Sequence, residues 1–185
     1  MASTQILNGK IYAFEPHGIT FPSLLKNIEL NGLSERMVAS SMALHSQLEL
    51  FNFNYLNLES ATTASQFGEF SDEGVSMKKE ILELKSGISI DYLVSNQLIG
   101  PPTVIKIDVD GNAELIIQGM NELLNSEKPP RSILVEVRDS TRDEVCRWFQ
   151  ARGYYIDTEL TQPPKMISAN SSNDSQNIVF MLRNS

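Results

Sequence analysis

Cysteine is almost missing from this chain: Cys146 stands alone among 185 residues. That excludes an internal disulfide and a metal cluster built on thiolates, and it makes a reducing, cytoplasmic setting the expected one. Cys146 lies among Val145, Trp148 and Phe149, which reads as a packed thiol rather than a nucleophile. Long hydrophobic runs are lacking as well. No apolar stretch approaches the ~20 residues a membrane-spanning helix needs, and the N-terminus has no basic segment followed by an apolar one. Clustered positive charge is also absent. With 15 Lys and Arg against 23 Asp and Glu the net charge is −8, so neither nucleic acid nor an anionic membrane is an expected partner.

What is present is ordinary globular composition, 41% apolar and 21% charged, enough for one domain over residues 1–185 with a sizeable core. The organising stretch is TVIKIDVDGNAELIIQG at Thr103–Gly119. Val104–Val109 alternates as a strand, with Ile105, Ile107 and Val109 on one face and Val104, Lys106 and Asp108 on the other. Gly111 lets the chain turn, Asn112 is a good helix cap, and Ala113, Ile116, Ile117, Met120, Leu123 and Leu124 recur at helical spacing. Asp108 and Asp110 therefore fall at the carboxyl end of a strand, where open α/β sheets bind ligands.

In chain order, Lys10–Phe14 is a strand ending at Glu15, Pro16 and His17, and Gly18–Asn31 is a helix stopped at Asn31-Gly32. Glu15 has the position and chemistry of an acid that accepts hydrogen bonds from ribose hydroxyls; it also suits the positive end of the following helix. Met37–Leu44 reads as a short strand with its exit turn, leaving His45 and Ser46 at a ligand edge or in solvent. Gln47–Tyr55 alternates with period two, as a half-exposed antiparallel strand does. Leu58–Gly74 reads as a loop and Val75–Leu84 as a further strand. Ser89 caps a short helix that Gly100-Pro101-Pro102 ends. Ser132–Val137 is a buried strand ending at Glu136 and Arg138. Thr141–Arg152 is an amphipathic helix with Val145, Trp148 and Phe149 inward, stopped by Gly153. Tyr154–Leu160 and Asn177–Leu182 are two last strands, with Pro163–Gln176 mainly loop. The succession predicts an α/β fold, doubly wound around a mostly parallel sheet with an antiparallel C-terminal edge.

GKIYAFEPHGITFPSLLKNIELNGL at Gly9–Leu33, ISIDYLV at Ile88–Val94, TVIKIDVDGNAELIIQGM at Thr103–Met120 and SILVEV at Ser132–Val137 stand in order and at compatible spacing. Together they resemble the FkbM-type methyltransferases that use S-adenosylmethionine. The resemblance implies a Rossmann-like, class I methyltransferase fold, bound S-adenosylmethionine, and methyl transfer most often to a hydroxyl oxygen. By the same resemblance, Glu15 with Pro16 matches the ribose-holding acid and its turn, and Asp108 the acid beside the reactive sulfonium. His45 and Ser46 fall where an adenine contact is often placed, although the family usually has an acid there. Asp110 or Glu136 would serve as base or acceptor-binding group, with Lys106 lowering their pKa through its charge. The acceptor is expected to be a small molecule or saccharide, held by the loops at Leu58–Gly74 and Pro163–Gln176.

One departure concerns glycine. The family carries a glycine-rich turn after its first strand, whereas the ten glycines here lie no closer than six residues apart. The expectation is an N-terminally incomplete domain, completed by a partner chain or a homo-oligomer, or a non-catalytic remnant. A second resemblance, DVDGN to the aspartyl-phosphate motif of haloacid-dehalogenase-type phosphatases, implies a magnesium-dependent hydrolase instead. A calcium loop is not expected, since a strand precedes the acids and no Glu stands at the twelfth position. No residue of the chain is singled out as a metal ligand.

Overall fold

Ile11–Phe14 (β1) and Met37–Ser40 (β2) pair in parallel, Ile11 opposite Met37 and Phe14 opposite Ser40. They belong to a computed structural model that describes residues 9–55, 66–67, 81–109, 113–161 and 175–183. These residues fall into two compact units, Met1–Ile88 and Ser89–Ser185.

In the first unit, Thr20–Leu30 (α1) connects β1 to β2. The His17 carbonyl takes the Thr20 and Phe21 amides as the helix starts, and Gly32, at φ 62°, follows its end, as the Asn31-Gly32 stop predicts. The apolar face of α1 is narrower than its spacing predicts: Ile28 is buried, whereas Leu25 and Leu30 are 47% and 70% exposed. A sheet two strands wide offers little surface to cover them. Ala43–Leu44 (β3), Glu49–Tyr55 (β4), Gln66–Phe67 (β5) and Ile81–Ile88 (β6) form a second sheet in the order β3-β6-β4-β5. β4 runs antiparallel to β6, from Glu49 opposite Gly87 to Tyr55 opposite Ile81. Period-two alternation puts Phe51, Phe53, Tyr55, Glu83, Lys85 and Gly87 on one face and leaves Leu50, Leu82 and Leu84 exposed on the other. The loop expected at 58–74 contains β5; its remaining residues, and 75–80 of the expected strand, lie outside the described residues.

The second unit opens with Ile90–Ser95 (α2), capped as expected by Ser89, whose Oγ accepts the Tyr92 amide at 3.0 Å. Val104–Ile107 (β7) lies parallel to Ser132–Arg138 (β8). The helix expected over Ala113–Leu124 is broken into Ala113–Gln118 (α3) and Asn121–Leu124 (α4). Gly119 is a poor helix former, and Asp91 supplies the new start. Its carboxylate accepts the Glu122 and Leu123 amides, each at 2.8 Å, while its own amide donates to Gly119 O. Arg142–Gln150 (α5) ends before Gly153, whose φ of 85° demands glycine. Tyr154–Ile156 (β9) and Ser175–Leu182 (β10) complete the order β7-β8-β10-β9. Both pairings of β10 are antiparallel, which gives the expected antiparallel edge. Residues 162–174 lie outside the described residues.

The second unit's core is Ile133, Val135 and Val137 of β8, Ile178 and Phe180 of β10, and Val145 and Phe149 of α5, all buried. Phe149 stacks on Phe180 at 4.3 Å, and buried Tyr154 donates its hydroxyl to Pro130 O at 2.6 Å. Side chains of this kind contribute roughly 1.5–3 kcal/mol each when fully buried. Trp148, expected inward, is only half-buried and lies under the Arg152 guanidinium at 3.6 Å. The fold is α/β with mixed sheets. Against the mostly parallel sheet expected, parallel pairing joins only β1 to β2, β3 to β6 and β7 to β8 among the described residues, while β4 runs antiparallel to β5 and β6, and β10 to β8 and β9; antiparallel pairing lets β4 and β6 keep one face in solvent.

Candidate functional site

Chain direction places the candidate residues. At the end of β7, alternation exposes Lys106 and Asp108 and buries Ile105 and Ile107. The shared face expected for Lys106 and Asp108 is realised as an ion pair, Nζ to Oδ2 2.5 Å. The register of β7 with β8 sets Lys106 opposite Leu134 and Ile107 opposite Val135. The pairing ends there, and Asp108 and Glu136 are the next residues of the two segments. Glu136 is half-buried and accepts a hydrogen bond from Ser175 Oγ of β10. Lys106 and Asp108 therefore sit at the carboxyl end of β7, and Glu136 lies on the neighbouring strand two residues before its end. The Lys106 ammonium is engaged with Asp108 rather than with Glu136. Asp110 lies outside the described residues.

In the first unit, Glu15 follows β1 directly, and its amide donates to Ser40 O at 3.0 Å, extending the β1–β2 pairing by one bond. Pro16 carries the turn, and Glu15 Oε1 accepts the His17 amide at 2.8 Å. At α1 the N-cap position is Ile19, which offers no side-chain acceptor, and a side-chain acceptor near the helix start comes from His17. Its Nδ1 accepts the Thr20 amide at 3.2 Å, which assigns the ring proton to Nε2 in the neutral tautomer. That Nε2 is buried and has no hydrogen-bond partner among the described residues.

His45 is not on a solvated turn. β3 delivers it into the packed face of β4, where it is buried with its ring 3.9 Å from that of Phe51 and its amide bonded to Ile88 O. Ser46 Oγ lies 3.2 Å from His45 Nδ1. Burial pushes the His45 pKa below its ordinary value, opposed by the nearby Glu49 carboxylate. A Cβ on Gly87 would meet Phe51 Cε2 at 2.6 Å, so glycine is what lets this ring pair form.

Sequence reasoning missed a polar cluster beside Glu15. The Tyr55 hydroxyl accepts the Gly18 amide at 3.1 Å and donates to Glu83 Oε2. Lys85, buried along β6, donates to Glu83 Oε1 at 2.8 Å and lies 5.9 Å from the Phe53 ring centre. The His17 ring meets Tyr55 edge-on at 4.9 Å. Burial, then the Glu83 hydrogen bond, pushes the Tyr55 pKa up to about 12. Burial also raises the Glu83 carboxyl, but hydrogen bonds from Lys85 and Tyr55 outweigh it and hold the group below its ordinary value. The Tyr55 hydroxyl is thus the donor and the Glu83 carboxylate the acceptor near neutral pH. The available signal was the charge of Glu83 and Lys85 on the inward face of an alternating strand.

Among the described residues no group of three or more His, Cys, Asp or Glu is placed to hold a metal ion, and no helix is long and apolar enough to cross a membrane. A family profile described as methyltransferase FkbM domain matches residues 4–156. Among solved structures the chain is similar to methyltransferase FkbM from Methylobacillus flagellatus KT, with TM-score 0.56 and 13% identity. The match covers 93% of this chain but 36% of that one, so the chain spans about a third of the solved relative, and the likeness is one of fold. No curated protein matches the chain.

Proposed function

Because the chain belongs to the FkbM methyltransferase family, matching its profile over residues 4–156, we propose that it binds S-adenosylmethionine and methylates a hydroxyl oxygen of a small molecule or saccharide in the cytoplasm. The observation that carries this reading recurs within each unit taken by itself: Glu15 in the first and Asp108 in the second each stand one residue beyond a parallel-paired strand, β1 and β7. Carboxyl ends of such strands are where α/β sheets bind ligands. The family match favours this over phosphoryl hydrolysis at Asp108 and Asp110.

Glu15, held by the His17 amide, is oriented to accept hydrogen bonds from a ribose diol. Ser46 and Pro16 supply the polar and apolar contacts an adenine takes, with the buried His45 holding the Ser46 hydroxyl from behind. S-adenosylmethionine supplies an activated methyl group on a good leaving group, so the protein's task is alignment and proton removal. Asp108 attracts the positive sulfonium, and Lys106 holds that carboxylate in place. Glu136 or Asp110 takes the proton of the acceptor hydroxyl.

Calorimetric titration of S-adenosylmethionine into the purified chain tests the reading. Binding that weakens at least tenfold in Glu15→Gln is expected; no binding, or magnesium-dependent hydrolysis of p-nitrophenyl phosphate in its place, overturns it.

A further inference from the structure

Behind the Glu15 turn lies a chain of hydrogen bonds that methyl transfer as described leaves unused. It runs from the buried Lys85 ammonium to the Glu83 carboxylate, and the Tyr55 hydroxyl donates to that same carboxylate while accepting the Gly18 amide. All four residues belong to the first unit, yet they come from β6, β4 and the turn after β1. Tyr55 is 4% exposed, and a Cβ on Gly18 would lie 3.1 Å from its hydroxyl, so a larger residue there would push the hydroxyl back by a few tenths of an ångström. The His17 ring closes over the same tyrosine, while the His17 amide holds Glu15 Oε1. Two consecutive amides of one turn are thus fixed from opposite ends, Gly18 by Tyr55 and His17 by Glu15.

We propose that Tyr55 is a positioning residue for cofactor binding, its hydroxyl holding the Gly18 amide so that the turn between β1 and α1 presents the Glu15 carboxylate in one orientation. Glu83 fixes the direction of the Tyr55 hydroxyl, and Lys85 fixes Glu83. The ordering is done before the ligand arrives, so the tyrosine acts on affinity through Glu15 without touching the cofactor. A tyrosine that merely packed against His17 and Phe53 would do as well without its oxygen.

The proposal rests on the reading of Glu15 as a cofactor contact, and a double-mutant cycle separates the two. Affinity for S-adenosylmethionine is measured by calorimetry in the wild type, Tyr55→Phe, Glu15→Gln and the double variant, with thermal unfolding followed in parallel. Loss of one neutral hydrogen bond corresponds to about a three- to tenfold change in affinity. The expected result is that loss for Tyr55→Phe in the wild-type background and less than about a twofold loss in the Glu15→Gln background. Faster hydrogen exchange at the Gly18 amide, with the α1 amides unchanged, accompanies it. An equal loss in both backgrounds, or none in either, overturns the positioning role while the effect of Glu15→Gln keeps the functional reading. Unchanged affinity in Glu15→Gln overturns the functional reading, and this proposal with it. Should Tyr55→Phe not fold, Glu83→Gln, which keeps the ring and loosens the hydroxyl, is expected to show the same coupling at smaller amplitude, and its absence is equally decisive.

Discussion

Lys106 Nζ lies 2.5 Å from Asp108 Oδ2, two residues apart on one face of β7, with the side chains 62% and 47% exposed. An ion pair that open to solvent contributes at most ~0.2–1 kcal/mol, so stability does not explain its place at a strand end. Asp108→Asn is therefore expected to shift unfolding in urea by no more than ~0.5 kcal/mol. The same variant is expected to lose S-adenosylmethionine binding at least tenfold in calorimetry. Unaltered affinity in a folded Asp108→Asn protein refutes the role given to this carboxylate.

Asp91 is a different kind of acid. Both carboxylate oxygens are engaged with the first amides of α4, 31 and 32 residues away in sequence, and helix starts without a side-chain acceptor leave amides unsatisfied. Asp91→Ala is expected to cost ~0.5–2 kcal/mol in chemical denaturation, with Asp91→Asn losing less because one acceptor oxygen remains. Cofactor affinity is expected to stay level in both, which distinguishes Asp91 from Asp108.

These two acids show what the sequence could and could not tell. Period-two alternation in Val104–Val109 was enough to put Lys106 and Asp108 on one face, and glycine chemistry was enough to end α1 at Gly32 and α5 before Gly153. The break between α3 and α4 was hidden because its cause, Asp91, sits about 30 residues upstream in another helix, beyond any local pattern. The same holds for Tyr55, whose partners Gly18 and Glu83 are 37 and 28 residues away. The burial of His45 was hidden for a related reason. A short polar segment after a strand looks solvated until the strand returning from Glu49 lays Phe51 against it. Sheet order was legible only in part, since β10 enters between β8 and β9 and nothing local announces that.

Gly87 provides a test of packing near His45. An added Cβ would fall 2.6 Å from Phe51 Cε2 and 3.0 Å from His45 Cβ, closer than side-chain contacts allow. Gly87→Ala must therefore move the Phe51 ring or part β4 from β6, and overpacking of this size costs ~1–3 kcal/mol. A lowered midpoint in urea is expected; a wild-type midpoint would show that the ring yields freely.

His45 gives the first unit a pH dependence whose sign follows from burial. Desolvation, the larger influence, and the opposing Glu49 charge leave its folded pKa below the ordinary 6.5. Below pH 6.5 the unfolded chain takes up a proton that the folded chain holds off, so the unfolded state binds more protons and stability falls as pH falls. The contribution is fully present above the unfolded value and is lost on the way down through the folded one. Glu83 adds a loss of the same sign, but only below the ordinary carboxylate value of 4.5, so the two windows separate. Urea unfolding between about pH 5 and 7.5 in wild type and His45→Gln isolates the histidine, because every other group is common to both. Stability is expected to decline toward pH 5 in the wild type and to stay flatter in His45→Gln; equal slopes in the two proteins would refute a buried, neutral His45.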